Sequence, residues 1–177
     1  ITQYYYDQIV LLKSENAKLR AEVDRLSIKS NANEQYSRKY NLRLGGIKEE
    51  PSEDCYQAVS IFFQNEIGIS INDAEIHRAH RVGRPGGFNP REMIVKFKGY
   101  RAKQEVLKNR RNLKGKKGIY VREDLTAYNL ELVRYARDTE YVSSCWANDG
   151  EIFVKLYNCS IHVVCSKDDL LNIKPVD

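Results

Sequence analysis

Arg78, Arg81, Arg84 and Arg91 fall within fourteen residues, and the run Asn109-Arg-Arg-Asn-Leu-Lys-Gly-Lys-Lys-Gly118 adds Arg110, Arg111, Lys114, Lys116 and Lys117. A guanidinium is a planar fork of donors that grips two phosphate oxygens at once. Lysines on a glycine-bounded loop follow a charged backbone without demanding a sequence. The chemistry on offer is capture of a polyanion.

The distribution of charge supports this. Residues 1–44 carry a net +3, residues 45–77 a net −6, residues 78–122 a net +13 and residues 123–177 a net −5, within a chain of 177 residues and net charge +5. Positive potential concentrated in one block suits nucleic acid better than it suits general solubility.

Bond-making chemistry has no comparable support. Glu123, Asp124 and His80 could be imagined as acids or bases, but the chain has no nucleophile-base motif, no phosphate-cradling glycine loop and no metal-ligand spacing. His77 and His80 lack a third ligand at suitable spacing and read, like His162, as ordinary strand residues. Cys55, Cys145, Cys159 and Cys165 form no CxxC pair, so free thiols are expected, with neither metal nor cofactor. No apolar run approaches the roughly 18 residues of a membrane span. Ile1 in place of Met, with no leader, points to a chain excised from a longer protein.

The elements that would position the arginines come next. Tyr5, Ile9, Leu12, Asn16, Leu19, Val23 and Leu26 recur at alternating steps of four and three, a heptad seam with Ile9, Asn16 and Val23 at a and Tyr5, Leu12, Leu19 and Leu26 at d. Glu15 at g and Arg20 at e favour parallel, in-register helices, and β-branched a positions with one Asn favour two strands. Past Leu26 the seam positions turn polar, so the helix either ends or becomes a spacer reaching residue 40.

Residues 41–122 alternate strand and helix signals in the order β-α-β-β-α-β. Strands are expected at Asn41–Ile47, Ile76–Val82, Glu92–Lys98 and Gly118–Arg122, with helices at Cys55–Glu66 and Arg101–Asn109. That order describes a ferredoxin-like sandwich of the kind that hosts the RNA-recognition module. Stacking aromatics are missing from its central strands, where Arg43, Glu92 and Ile94 stand instead, so phosphate contacts by Arg43, Arg78, Arg81, Arg84 and Arg91 carry the load.

Residues 123–177 read as a small α+β domain. Thr126 caps a helix to Thr139, Asn148-Asp149-Gly150 turns between strands Val142–Trp146 and Glu151–Leu156, and a third strand covers Ile161–Cys165. Ser166-Lys-Asp-Asp169 has the form of a capping box for a short helix over Asp168–Ile173. Of its aromatics, Tyr128 is taken as a base partner, together with Arg134 and Arg137; Tyr135, Tyr141, Trp146 and Tyr157 read as fillers. The expected fold class is thus α+β: a parallel coiled coil, a divergent RRM-like sandwich and an α+β C-terminal domain.

Tyr40-Asn-Leu-Arg-Leu-Gly-Gly-Ile47, His80-Arg-Val-Gly83, Pro90-Arg-Glu-Met-Ile-Val-Lys-Phe97 and Gly118-Ile-Tyr-Val-Arg-Glu-Asp-Leu-Thr126, following a coiled coil, resemble the first-reading-frame RNA-binding protein of LINE-type retrotransposons. Trp146-Ala-Asn-Asp-Gly-Glu-Ile-Phe-Val-Lys155 and Asp168-Asp-Leu-Leu171 also resemble the C-terminal domain of the baculovirus few-polyhedra protein.

The resemblance implies a non-enzymatic protein that coats its element's RNA, binds single-stranded RNA and DNA, forms a ribonucleoprotein particle and acts as a nucleic-acid chaperone in retrotransposition. It implies RNA contacts at Arg81, Arg84, Arg91, Arg110 and Arg111, and a homotrimer where the seam alone says homodimer. It places the particle in the cytoplasm, with access to the nucleus a further expectation. The rival expectation is a coiled-coil protein scaffold with incidental nucleic-acid affinity.

Overall fold

The computed structural model describes residues 2–174, leaving outside it Ile1 and the last three residues of the expected C-terminal domain. The chain is mixed α+β with a long N-terminal helix and two antiparallel sheets. It falls into two compact units: one joins Ile1–Tyr36 with Thr126–Trp146 and Glu151–Asp177, the other joins Ser37–Leu125 with Ala147–Gly150. The helix expected to stand apart therefore groups with the C-terminal segment, and the boundary expected after Arg122 lies after Leu125.

In the second unit the strands are β1 (Asn41–Gly45), β2 (Ile76–Arg81), β3 (Met93–Phe97) and β4 (Tyr120–Glu123), in the spatial order β2-β3-β1-β4. Alternation decides the faces. Leu42, Leu44, Met93, Val95, Phe97 and Val121 are buried, each fully buried side chain of this size contributing roughly 1.5–3 kcal/mol. The residues between them, Arg43, Ile94, Lys96 and Arg122, take the opposite face.

Helices α2 (Cys55–Phe62) and α3 (Tyr100–Asn109) supply Val59, Phe62, Ala102 and Val106 to the same core. Asp54 starts α2 by accepting from the Tyr56 amide at 2.9 Å. The helix expected to reach Glu66 instead widens into a π-turn over Phe63–Ile67, closed by Gly68 at φ +81°, which brings both Phe63 and Ile67 inward.

Lys103, Glu123 and Asp124 are buried charges of this unit. Lys103, 1% exposed, donates to the Lys39 carbonyl at 2.7 Å and lies 3.3 Å from Glu123 and 3.5 Å from Asp149. Glu123 in turn accepts from the amides of Asp149 and Gly150 at 2.9 and 3.0 Å. A buried lysine is tolerable only when so satisfied. The pairing ties the turn Ala147–Gly150 to this unit.

The other unit contains α1 (Thr2–Ser37), α4 (Ala127–Arg137), β5 (Val142–Asn148), β6 (Glu151–Leu156), β7 (Ile161–Val164) and α5 (Lys167–Asn172), its sheet ordered β5-β6-β7. Leu132, Val133, Ala136, Val142, Ile152, Val154, Leu156, Val164 and Leu170 are its buried apolar residues among those described. Thr126 caps α4 through the Asn129 amide at 3.1 Å, and Ser166 with Asp169 completes the capping box of α5.

The helix does not end at Leu26; it runs to Ser37, roughly 54 Å in all at 1.5 Å per residue over 36 residues. Its polar last turns serve a purpose. Asn31 accepts from the Thr126 hydroxyl at 2.6 Å and donates to Asn129 at 2.8 Å, while Gln35 accepts from the Thr126 amide at 3.0 Å and from Asn129 at 3.1 Å. Upstream, Tyr5, Ile9, Leu12, Leu19, Val23 and Leu26 are all exposed in the single chain. No helix of the described residues is long and apolar enough to cross a membrane.

Candidate nucleic-acid interface

The arginines and lysines of the basic block divide into two groups according to what holds them. Arg81 belongs to the first. The strand register sets it opposite Met93, on the helix-covered face, and its side chain is 4% exposed. Its guanidinium donates to Glu53 at 2.7 and 2.8 Å and to the carbonyls of Ile47, Arg91 and Lys48 at 2.7, 2.8 and 2.8 Å. Every direction of the fork is used. The expectation that Arg81 contacts phosphate meets a side chain already committed to pinning the acidic loop onto the sheet.

Arg91 is paired as well: Glu49 accepts from its Nε and Nη2 at 3.0 and 2.9 Å, and from its amide at 2.5 Å. Lys116 donates to the Glu66 carboxylate at 2.8 Å. The hydrogen bonds from Arg91 and Arg81 hold the carboxyls of Glu49 and Glu53, respectively, below the usual range. Glu49, Glu53 and Glu66 of the acidic segment at residues 45–77 thus neutralise part of the block that follows it.

Arg43 lies on the open face of the sheet, donating from Nε to Asp124 at 2.6 Å and from Nη1 to Glu92 at 2.9 Å. Glu92 also accepts from the Tyr120 hydroxyl and from Arg122, each at 2.6 Å. Partial burial alone would raise the Glu92 carboxyl, but the hydrogen bonds of Tyr120 and Arg43 and the charge of Arg122 hold it below its ordinary value. Burial likewise pushes against ionised Asp124, and Asn41, Arg43 and Arg38 outweigh it.

The second group carries no ion pair or side-chain hydrogen bond among the described residues. Arg78, Arg84, Arg110, Arg111, Lys114 and Lys117 are all exposed. Arg78 stands on β2 opposite Lys96, and Arg84 in the loop after β2. Arg110, Arg111 and Lys114 line one shallow groove with Leu113, Ile119, Tyr120 and Val121. Tyr120, 40% exposed, therefore belongs both to this groove and to the cluster around Glu92.

In the other unit, Arg134 and Arg137 are exposed on α4. Tyr128 lines a cleft with Asp24, Glu131 and Asp168, surroundings that repel a polyanion, and burial with the nearby acids raises its phenol. Three of the remaining aromatics have structural partners: Tyr141 donates to the Leu170 carbonyl at 2.7 Å, Trp146 stacks on Phe153 at 5.7 Å, and Lys167 sits over Tyr135, while Tyr157 is exposed. No cluster of three or more His, Cys, Asp or Glu among the described residues is placed to hold a metal.

No protein-family model matches the chain, and no curated protein gives a significant match.

Sequence reasoning passed over Lys96, Tyr120 and Arg122. The signal was present: Lys96 alternates with Val95 and Phe97, and Arg122 with Val121, so both had to share the open face with Arg43. What alternation did not reveal was that Glu92 would gather three donors from two neighbouring strands.

Proposed function

We propose that the protein binds single-stranded RNA without strong sequence preference, as a self-associating coat and chaperone protein of a LINE-type element. The observation that carries this is the groove on the second unit where Arg110, Arg111 and Lys114 converge without ion-pair partners beside exposed Tyr120. Arg81, Arg91 and Arg122 of the basic block are neutralised by carboxylates; here the cations are left to an external anion. Cations tracking a backbone beside an aromatic face are the components of sequence-tolerant single-strand binding.

Two further features agree. The element order and the strand order β2-β3-β1-β4 support an RRM-like sandwich with Arg43, Glu92 and Ile94 at the central-strand positions where stacking aromatics are usual. The exposed seam from Tyr5 to Leu26 supports a parallel coiled coil, since an apolar stripe of that length gains by burial against copies of itself. Trimer and dimer are both compatible with it.

The same seam favours the second reading, a protein scaffold. Alanine at Arg84, Arg110, Arg111, Lys114 and Lys117 separates the two. On the RNA-binding reading, affinity for a single strand falls at least tenfold while melting is unchanged; equal binding by variant and wild type supports the scaffold.

A further inference from the structure

We propose that the open face of the sheet is a second nucleotide site, in which Glu92 occupies the place of a backbone phosphate. This rests on the nucleic-acid reading above and names a site that adjoins the groove through the shared Tyr120. A carboxylate offers two oxygens in one plane, much as a phosphodiester offers its two non-bridging oxygens. The Glu92 oxygens take Arg43 Nη1 at 2.9 Å on one side, and Arg122 Nη2 and the Tyr120 hydroxyl at 2.6 Å on the other. Two guanidiniums and a phenol from two different strands converge on one anion.

The site survives departure of that anion. Arg43 is held independently, through Nε to Asp124 at 2.6 Å, and Asp124 is only 2% exposed. Asp124 therefore stays as the fixed anchor. Glu92 is the displaceable partner, because its side chain is 22% exposed and the Arg122 side chain 44% exposed. The backbone of Glu92 remains paired through the Val82 amide at 2.8 Å, so only the carboxylate has to swing away.

A base has a place as well. The Tyr120 ring packs directly over Gly45, where an added Cβ would lie 2.3 Å from ring carbons, and the residue stays 40% exposed with the Arg122 guanidinium 5.6 Å from the ring centroid. Absence of a side chain at Gly45 lets the ring lie down on the sheet. Base on Tyr120 and phosphate on Arg43 and Arg122 makes one nucleotide of a single strand, and Lys96 with Arg78 lies in the next row of the same face. Glu92 then sets affinity by competing with the ligand for these donors.

The test uses the full chain and a labelled oligouridylate of about 30 nucleotides, titrated at several salt concentrations. Glu92→Gln keeps the shape, removes the charge and replaces one acceptor oxygen by a donor amide, which loosens the hold on Arg43, Arg122 and Tyr120. It is expected to bind three- to tenfold more tightly, with a salt slope steeper by about 0.7 for one extra phosphate contacted. Because Glu92→Gln could alter folding, the double variant Arg78→Ala, Lys96→Ala gives a second measurement, with a several-fold loss expected. Wild-type affinity and slope in Glu92→Gln, or in the double variant, overturns the site while leaving the groove reading intact if wild type itself binds. Failure of wild type and Glu92→Gln alike to bind overturns both.

Discussion

Alanine in place of Arg81 is expected to destabilise the fold rather than to weaken its grip on RNA. The substitution strands Glu53, whose side chain is 15% exposed, and removes the donor from the carbonyls of Ile47, Lys48 and Arg91. Breaking a buried pair from one side costs about 3–5 kcal/mol, because the remaining charge stays desolvated without its partner. That is a large share of the 5–15 kcal/mol that holds a typical domain together. For a unit of roughly 60–100 residues each kcal/mol moves Tm by about 4–8 °C, so a fall of more than about 10 °C is expected. Arg84→Ala, exposed and without an ion pair, is the control and should melt within about 0.5 kcal/mol of wild type. Circular dichroism melts, with RNA polarisation measured well below each midpoint, separate stability from affinity. Arg81→Ala that melts like wild type yet loses RNA binding would refute the assignment of Arg81 to the scaffold.

Acid should destabilise the second unit in a defined direction. Glu49, Glu53, Glu92 and Asp124 are all held below their ordinary values when folded, so their stabilisation is complete above the unfolded range near pH 4–4.5 and is lost as pH falls through the lower folded values. Melts from neutral pH downward should show this, and Glu53→Gln should flatten the curve; a wild-type Tm constant down to pH 3 would contradict it. Gly45→Ala should cost about 1–3 kcal/mol by displacing the Tyr120 ring, with partial recovery when Tyr120→Ala is added, and an additive double-mutant cycle would rule out that contact. Leu12→Asp with Leu19→Asp should reduce the mass in light scattering to that of one chain; an unchanged mass would remove the coiled coil from the account.

The elements that alternate or repeat strongly were legible. Met93-Ile-Val-Lys-Phe97 announces a strand with one buried face, and Ser166-Lys-Asp-Asp169 announces a capped helix, because both signals are local. The end of α2 was not legible, since the π-turn that turns Phe63 and Ile67 inward is imposed by packing. Nor was the role of the polar stretch after Leu26: Asn31 and Gln35 bind Thr126 and Asn129, which stand nearly a hundred residues away in the chain. The same difficulty divided the arginines. Net charge counts Arg81, Arg84 and Arg91 alike, while the fold pairs Arg81 with Glu53 and Arg91 with Glu49 and leaves Arg84 exposed.

Salt dependence of single-strand binding by the wild-type chain tests the central claim most directly. Release of counterions from each neutralised phosphate lowers log K linearly with log salt, with a slope of about −0.7 per phosphate on a single strand. With Arg110, Arg111 and Lys114 in the groove, and further exposed cations at Arg78, Arg84 and Lys117, a slope of about −2 or steeper is predicted, similar for unrelated sequences. A slope near zero, or binding confined to one sequence, would contradict it.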